Sequence, residues 1–183
     1  MKQFFMMIMV GLLLIVLPGC DNGDEGGNSS GGTEAAPPSS GTSTVSLSAF
    51  SDFSCTSNWT NRDGALGLSA GSGSGTCTTT FSGESGTYNL SLIVQTEFDG
   101  RSPYQVSING NVVSSGTYPL SSPLGCDCPL DNWMTVCPDQ IVTLNGGVHQ
   151  INKGDTITFY GEETYPCGSH GAYAKWHGMN FTP

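Results

Sequence analysis

Short runs of alternating apolar and polar residues dominate the chain after residue 44, and this pattern limits the possible folds most strongly. In TYNLSLIVQTEF, apolar side chains occupy every second position from Tyr88 to Val94, as in a strand that is buried on one face. YQVSINGNVV and DTITFYG alternate in the same way, and STVSLSAF, TCTTTF, QIVTL and VHQI are shorter strand candidates. Asn109-Gly110 predicts a tight hairpin, while SGESG, FDG, NGG and NKGD predict other turns. About eight or nine short strands predict an all-β, jelly-roll-like antiparallel sandwich.

The N-terminal residues carry an export pattern. Lys2 precedes an apolar run from Phe4 to Leu17, which ends at Pro18-Gly19-Cys20. The run is short for a membrane span, so we predict a signal peptide over residues 1–19. LPGC resembles the lipobox of bacterial lipoproteins, which implies that Cys20 is lipidated and anchors the chain in the bacterial envelope, in the periplasm or at the cell surface. A plain signal peptide and a membrane anchor are the alternatives.

Residues 20–44 separate the predicted anchor from the strands. From Asp21 to Thr44 the chain contains no aromatic and no large aliphatic residue. Such a segment cannot bury enough apolar surface to offset the entropy of ordering, so we predict a disordered linker after the lipidated cysteine. A single β-sandwich domain then occupies residues 45–183.

Six cysteines follow Cys20, and an even number in an exported chain predicts disulfides. Cys55 and Cys77 are candidate partners because both lie early and flank one loop. Cys126 and Cys128 are too close to pair easily with each other, so each would pair with one of the last two cysteines. A zinc site is the alternative, but the CDC spacing departs from the usual C-x2–4-C, and we assign no metal. The disulfide cysteines are Cys55, Cys77, Cys126, Cys128, Cys137 and Cys167.

Composition and motifs exclude several functions. The chain has 15 acidic residues against 5 Lys and Arg, so a nucleic-acid partner is not expected. The same acidity disfavours strongly anionic polysaccharides. Glu162 and Glu163 are adjacent and would point to opposite faces of a strand, no G-x-S-x-G motif occurs, and the histidines show no H-x-x-x-H spacing. A binding function is therefore favoured over an enzymatic one.

Three segments resemble a known superfamily. GTYNLSLIVQTEFDGRSPYQVSINGNVV, GGVHQINKGDTITFYG and GAYAKWHGMNF resemble strands of galactose-binding-domain-like carbohydrate-binding modules, over about residues 86–113 and 144–181. The resemblance implies a β-sandwich that binds a glycan. The best-known members carry calcium-binding acids in an early strand, but STVSLSAF has none. A calcium ion would need Asp127, Asp131 or Asp139 with backbone carbonyls, and we assign no cofactor.

Sugar rings have apolar CH faces and polar rims, so their sites combine an aromatic platform with hydrogen-bonding side chains. Trp133 is the best platform candidate, because it lies with Asp131 in the loop that the cysteines would constrain. Trp59 lies in SNWTN, an early loop, and fits either the core or an edge.

The closing segment CGSHGAYAKWHGMNFTP crowds aromatic, basic and imidazole side chains together. Strict alternation with the apolar Met179 and Phe181 would bury Lys175, which is costly. We therefore expect a bulge at Gly178 that turns Trp176 inward and leaves the contact residues on the outer face or rim. The predicted ligand-binding residues are Trp133, Asp131, Tyr165, His170, Tyr173, Lys175 and His177.

These observations predict a membrane-anchored, non-catalytic lipoprotein that captures or presents a glycan, which we expect to be neutral. A protein-binding or structural subunit of the envelope, such as an adhesion component, is one alternative. A glycan-cleaving enzyme without a recognised motif is the other.

Overall fold

The computed structural model describes residues 42–62, 64–98, 100–121, 138–164 and 172–183. These residues form two antiparallel β-sheets around a shared core, so the predicted all-β sandwich is confirmed. None of these residues belongs to a helix long and apolar enough to span a bilayer. The strands are β1 Val45–Ser48, β2 Ser54–Cys55, β3 Trp59–Arg62, β4 Ala65–Ser69, β5 Ser74–Thr80, β6 Gly86–Gln95, β7 Pro103–Ile108, β8 Asn111–Thr117, β9 Ile141–Ile151, β10 Thr156–Glu162 and β11 Ala172–Thr182.

Each sheet draws strands from both halves of the chain. Sheet A has the order β3-β4-β11-β6-β9, and β1 pairs with the later part of β11. Sheet B has the order β2-β5-β10-β7-β8. The long strand β11 therefore lies at the centre of sheet A, and β10 lies at the centre of sheet B. Most contacts join residues far apart in sequence, as in a jelly-roll-like sandwich.

Aromatic side chains fill the space between the central strands. Trp176 is fully buried, as predicted, and stacks on Phe159 of sheet B with ring centroids 4.0 Å apart. Phe53 meets the Trp176 ring edge-on at 5.0 Å. Trp59 is a core residue as well, and its indole lies against the paired glycines Gly75 and Gly161. A Cβ at Gly75 would lie 2.5 Å from Trp59 Nε1, so this position has no room for a side chain.

The alternation rule located the longest strands correctly. The apolar residues of β6 between Tyr88 and Val94 are all buried, as predicted. Asn109 and Gly110 join β7 to β8 with φ values of 51° and 82°, which confirms the hairpin. The prediction of a turn at NGG was wrong, because QIVTL and VHQI belong to the single strand β9. The pairing of β6 with β9 shifts register at this point, so the glycines form a bulge within the strand.

Strand β11 contains the predicted bulge and a second one. The register against β6 shifts between Trp176 and Gly178, which confirms the expected bulge. Gly178 is required because a Cβ there would lie 2.1 Å from the carbonyl oxygen of Leu47 in β1. A second shift, against β4, lies between Tyr173 and Trp176, and Ala174 adopts a φ of 52° within it. Non-glycine residues rarely adopt this conformation.

One predicted disulfide falls within the described residues. Cys55 and Cys77 face each other in the β2–β5 pairing and are joined by a disulfide, as predicted. The other disulfide cysteines, the lipidated Cys20, the signal peptide and nearly all of the linker lie outside the described residues. The domain boundaries therefore stay predictions.

Candidate functional site

Four of the predicted ligand-binding residues lie outside the described residues. They are Trp133, Asp131, Tyr165 and His170. Their role in binding stays a prediction. The remaining three, Tyr173, Lys175 and His177, all lie on β11 and have defined surroundings.

Tyr173 is buried, contrary to the expectation that it lies on the rim. It stands opposite Leu68 of β4, whose side chain is also buried, and only 6% of Tyr173 is exposed. The extra residue inserted at Ala174 reverses the alternation, so Tyr173 and Trp176 both face inward. The Tyr173 ring lies against the backbone of Gly100, where a Cβ would be 3.0 Å from Tyr173 Cδ1. The described residues around Tyr173 therefore enclose its ring.

Lys175 lies on the outer face of sheet A and forms an ion pair with Asp139. The same carboxylate oxygen of Asp139 accepts a hydrogen bond from Gln95 Nε2 at 3.1 Å. The side chains of Lys175 and Asp139 are only 13% and 20% exposed. Because the Asp139 carboxylate already binds both the ammonium group and the amide, we interpret this group as structural.

His177 is half-buried on the same face of β11. Burial lowers the pKa of its imidazole, a hydrogen bond to the backbone carbonyl of Gly64 opposes this, and the nearby ammonium of Lys175 lowers the pKa further. The ring is therefore held neutral at neutral pH. Together, Lys175 and His177 are the two predicted residues that the structure places near the surface.

A buried carboxylate lies beneath this part of β11, and the sequence did not reveal it. Glu97 is only 2% exposed, and its two oxygens accept hydrogen bonds from the backbone N–H groups of Ser102 and Ala174, each at 2.8 Å. Tyr118 donates its hydroxyl hydrogen to the Ala174 carbonyl at 2.9 Å. Burial raises the pKa of Glu97, although these hydrogen bonds oppose the shift. Glu97 and Tyr118 hold Ala174 from both sides and so fix the bulge of β11.

The outer face of sheet B presents an aromatic ring. Along β10, Ile157 and Phe159 are fully buried, so alternation places Thr158, Tyr160 and Glu162 on the outer face. Tyr160 is half-buried and Glu162 is exposed. Among the described aromatic residues, most of the others are packed in the core. We call this surface, centred on Tyr160, the Tyr160 face.

Polar side chains surround the ring on the Tyr160 face. The Tyr160 hydroxyl donates a hydrogen bond to Glu162 Oε2 at 2.9 Å, and this bond raises the pKa of the phenol. The phenol is therefore a neutral group at physiological pH. The residues opposite Tyr160 on the neighbouring strands are Thr76 of β5 and Gln105 of β7. The ring is thus bordered by hydroxyl, amide and carboxylate groups, which are the groups that hydrogen-bond sugar hydroxyls.

The alternation of β10 was sufficient to locate Tyr160 from the sequence. Once Ile157 and Phe159 are assigned to the core, the period of two places Tyr160 on the opposite face. The expectation of a tryptophan platform in a loop instead pointed to Trp133 and away from a tyrosine within a strand.

The described residues contain no group of three or more His, Cys, Asp or Glu side chains arranged to hold a metal ion. Of the three acids considered for calcium, Asp139 pairs with Lys175. Asp127 and Asp131 lie outside the described residues.

The fold is similar to the β-sandwiches of carbohydrate-binding modules of families 35 and 6. The family 6 module at the C-terminus of a marine laminarinase from Zobellia galactanivorans has a TM-score of 0.48 and 10% identity, covering 76% of this chain and 99% of that one. A family 35 module from Clostridium thermocellum has a TM-score of 0.43 and 15% identity, covering 76% and 98%.

The insecticidal crystal protein Cry2Aa has a TM-score of 0.47 and 16% identity, covering 76% of this chain and 21% of its own. At these identities the likeness concerns the fold alone. No protein-family model matches the chain, and no curated protein matches its sequence.

Proposed function

We propose that this protein is a membrane-anchored lipoprotein that binds a glycan without cleaving it, and so captures or presents that glycan at the bacterial envelope. The observation that carries the proposal is the half-buried Tyr160 ring on the outer face of sheet B, bordered by Thr76, Gln105 and Glu162. The resemblance of three sequence segments to carbohydrate-binding modules supports the same function.

The chemistry of the Tyr160 face suits a sugar. The apolar CH face of a pyranose ring packs on an aromatic side chain, and the equatorial hydroxyl groups reach the polar residues around it. The neighbouring strands of a sheet are about 4.8 Å apart, so groups on β5 and β7 lie within reach of one sugar ring above β10. Because Tyr160, Thr76 and Gln105 belong to hydrogen-bonded strands, the site is formed before the ligand arrives.

The anchor is part of the proposal. The basic, apolar and LPGC segments at the start of the chain support export and lipidation at Cys20, and the polar composition of residues 21–44 supports a flexible tether. Such a tether lets a binding domain sample the space around its anchor. The formal net charge of −10 favours a glycan that is not anionic.

Binding to a glycan array, followed by calorimetry with the best ligand, tests the function. We expect the full chain in a detergent without a sugar headgroup to bind at least one glycan. Tyr160→Ala should weaken that binding at least tenfold, which corresponds to about 1.4 kcal/mol. Thr143 of β9 is exposed on sheet A, so Thr143→Ala is the control and should leave the affinity within a factor of two.

Two outcomes contradict the proposal in different ways. If the wild-type protein binds no glycan, the function is wrong, and a protein partner that survives competition by sugars would identify an envelope subunit instead. If glycan binding persists in Tyr160→Ala but fails in Lys175→Ala or Trp133→Ala, the site lies with the residues predicted from the sequence.

A further inference from the structure

Two glutamates lie at the C-terminal end of β10, and one of them, Glu162, is beside the Tyr160 ring. Glu162 is exposed and accepts the hydrogen bond from the Tyr160 hydroxyl through Oε2. Glu163 is half-buried, and its Oε1 accepts a hydrogen bond from the backbone N–H of Gly71 at 2.9 Å. The other oxygen of Glu163 is buried without a hydrogen-bond partner among the described residues. The ring is therefore adjacent to one acidic side chain, that of Glu162, while Glu163 bonds to Gly71 instead.

The cations of the described residues are engaged elsewhere or form no ion pair with these glutamates. Lys175 pairs with Asp139 on the other sheet, and Lys153 pairs with Glu84. Arg62 bonds to the hydroxyl groups of Thr60 and Ser69. Arg101 is exposed and precedes β7, the neighbour of β10, but the salt bridges of the described residues do not include one between it and Glu162 or Glu163.

Uncharged side chains complete the Tyr160 face. Opposite Tyr160 are Thr76 and Gln105, and opposite Thr158 are Thr78 and Ser107. The strand positions of the described residues on this face thus carry hydroxyl and amide groups, together with the carboxylate of Glu162. The face has an aromatic ring and a negative charge but no positive charge at these positions.

We infer that the Tyr160 face selects a glycan that bears free amino groups, such as an oligomer of glucosamine, over its acetylated or neutral counterparts. This inference rests on the proposed function and specifies the ligand class. A protonated amine on a sugar stacked over Tyr160 lies near the carboxylate of Glu162 and gains a charge-assisted hydrogen bond. It also gains attraction from the electron-rich face of the ring.

The selectivity should be modest because the site is exposed. Exposed ion pairs and exposed cation–π contacts each contribute little, and together they predict about a tenfold preference for the amine-bearing oligomer at low salt. The preference should shrink as salt is added, because the interaction is screened. The acidity of the whole chain attracts any polycation, so the experiment must separate this general attraction from the site.

Calorimetry with three oligomers of equal length and linkage tests the inference on the full chain. The oligomers are built from glucosamine, N-acetylglucosamine and glucose. We expect the wild-type protein to bind the glucosamine oligomer about tenfold more tightly than the other two at low salt. Glu162→Gln should reduce this preference to within a factor of two, and Tyr160→Ala should weaken the binding of all three.

Glu84→Gln is the matched control, because it removes one exposed negative charge from a residue that pairs with Lys153, before the start of β10, whereas Glu162 lies at the end of that strand. It should leave the preference unchanged. If Glu84→Gln lowers the preference as much as Glu162→Gln does, the attraction is general and the inference is overturned. Equal or weaker binding of the glucosamine oligomer by the wild-type protein also overturns it, while the proposed function stands. Failure of all three oligomers and of the glycan array would overturn both.

Discussion

On the outer face of sheet A, the charged side chain of Lys175 is largely covered and pairs with Asp139, which also binds Gln95. On the outer face of sheet B, the Tyr160 ring is half-buried, and its hydroxyl bonds only to the neighbouring Glu162 and to Ser74. Both residues lie on the outer face of a central strand, Tyr160 by regular alternation along β10 and Lys175 because bulges shift the register of β11. The difference shows that an outward position alone does not identify a binding residue. What distinguishes the two is that the charged group of Lys175 is covered in an ion pair, whereas Tyr160 has a ring bordered by polar side chains of the neighbouring strands.

In sheet A, β1 pairs with the later part of β11 and its backbone lies close to Gly178. We expect Gly178→Ala to lower the free energy of unfolding by about 3 kcal/mol or more, since its Cβ would lie 2.1 Å from the Leu47 carbonyl oxygen. Urea denaturation of the purified chain measures this loss. Gly154→Ala is the control, because Gly154 also has a positive φ but has no atom near its Cβ position. Equal losses in the two variants would show that β1 does not constrain this face.

The Lys175 group offers a second test of the contrast between the faces. Lys175→Met removes the ammonium and leaves the partly buried Asp139 carboxylate with Gln95 alone, so we expect a loss of about 1–3 kcal/mol in unfolding free energy. Lys153→Met breaks an exposed pair with Glu84 and should cost less than about 1 kcal/mol. Glycan affinity should be unchanged in both variants. A loss of binding without a loss of stability in Lys175→Met would reverse our interpretation of sheet A.

The smallest expected effect is the contribution of His177 to the pH dependence of the free energy of unfolding. Because burial lowers the pKa of His177 in the folded protein, the unfolded chain binds the proton more readily. The stability that His177 contributes is therefore fully present above its ordinary pKa of about 6.5. It is lost as the pH falls through the pKa that His177 has in the folded protein. We expect His177→Gln to remove the part of the pH dependence of unfolding free energy that comes from His177. The urea midpoint at neutral and at mildly acidic pH measures it.

Glu97 makes the stability change with pH in the opposite direction. The His177 test therefore depends on the difference between the variant and the wild-type protein. The folded pKa of Glu97 is raised, so its contribution is present below the ordinary glutamate value and is lost as the pH rises through the folded pKa. Both proteins in the comparison keep Glu97, and its contribution cancels. An unchanged slope in His177→Gln would show that the imidazole is solvated equally in the folded and unfolded chains.

Local features of the sequence were enough to predict three parts of the fold: alternation predicted the sandwich, Asn109-Gly110 the β7–β8 hairpin, and the cost of burying Lys175 the bulge that turns Trp176 inward. These features depend on residues a few positions apart, which a sequence displays directly. The bulge at Ala174 could not be found in this way. Its hydrogen-bond partners, Glu97 and Tyr118, are 77 and 56 positions away in the chain. The burial of Tyr173 follows from that bulge, so it was hidden for the same reason.

The NGG segment shows a different difficulty. Asn145-Gly146-Gly147 has the composition of a hairpin turn, yet β9 continues through it because β6 pairs with residues on both sides. A turn and a bulge need the same permissive residues, and only the neighbouring strand decides between them. The proposed site at Tyr160 was within reach of the sequence, since the alternation of β10 already places this residue on the outer face.

The short strand β2 has a consequence for how the molecule behaves beside its own copies. An uncovered strand edge offers backbone groups with which another chain can pair, and this is a route to aggregation. Here β2 covers part of the β5 edge with only two residues, and the bond between Cys55 and Cys77 fastens it there. Reduction would allow β2 to leave and would uncover the β5 edge. Expression in a reducing compartment should therefore promote aggregation of the protein, even if the rest of the sandwich still folds.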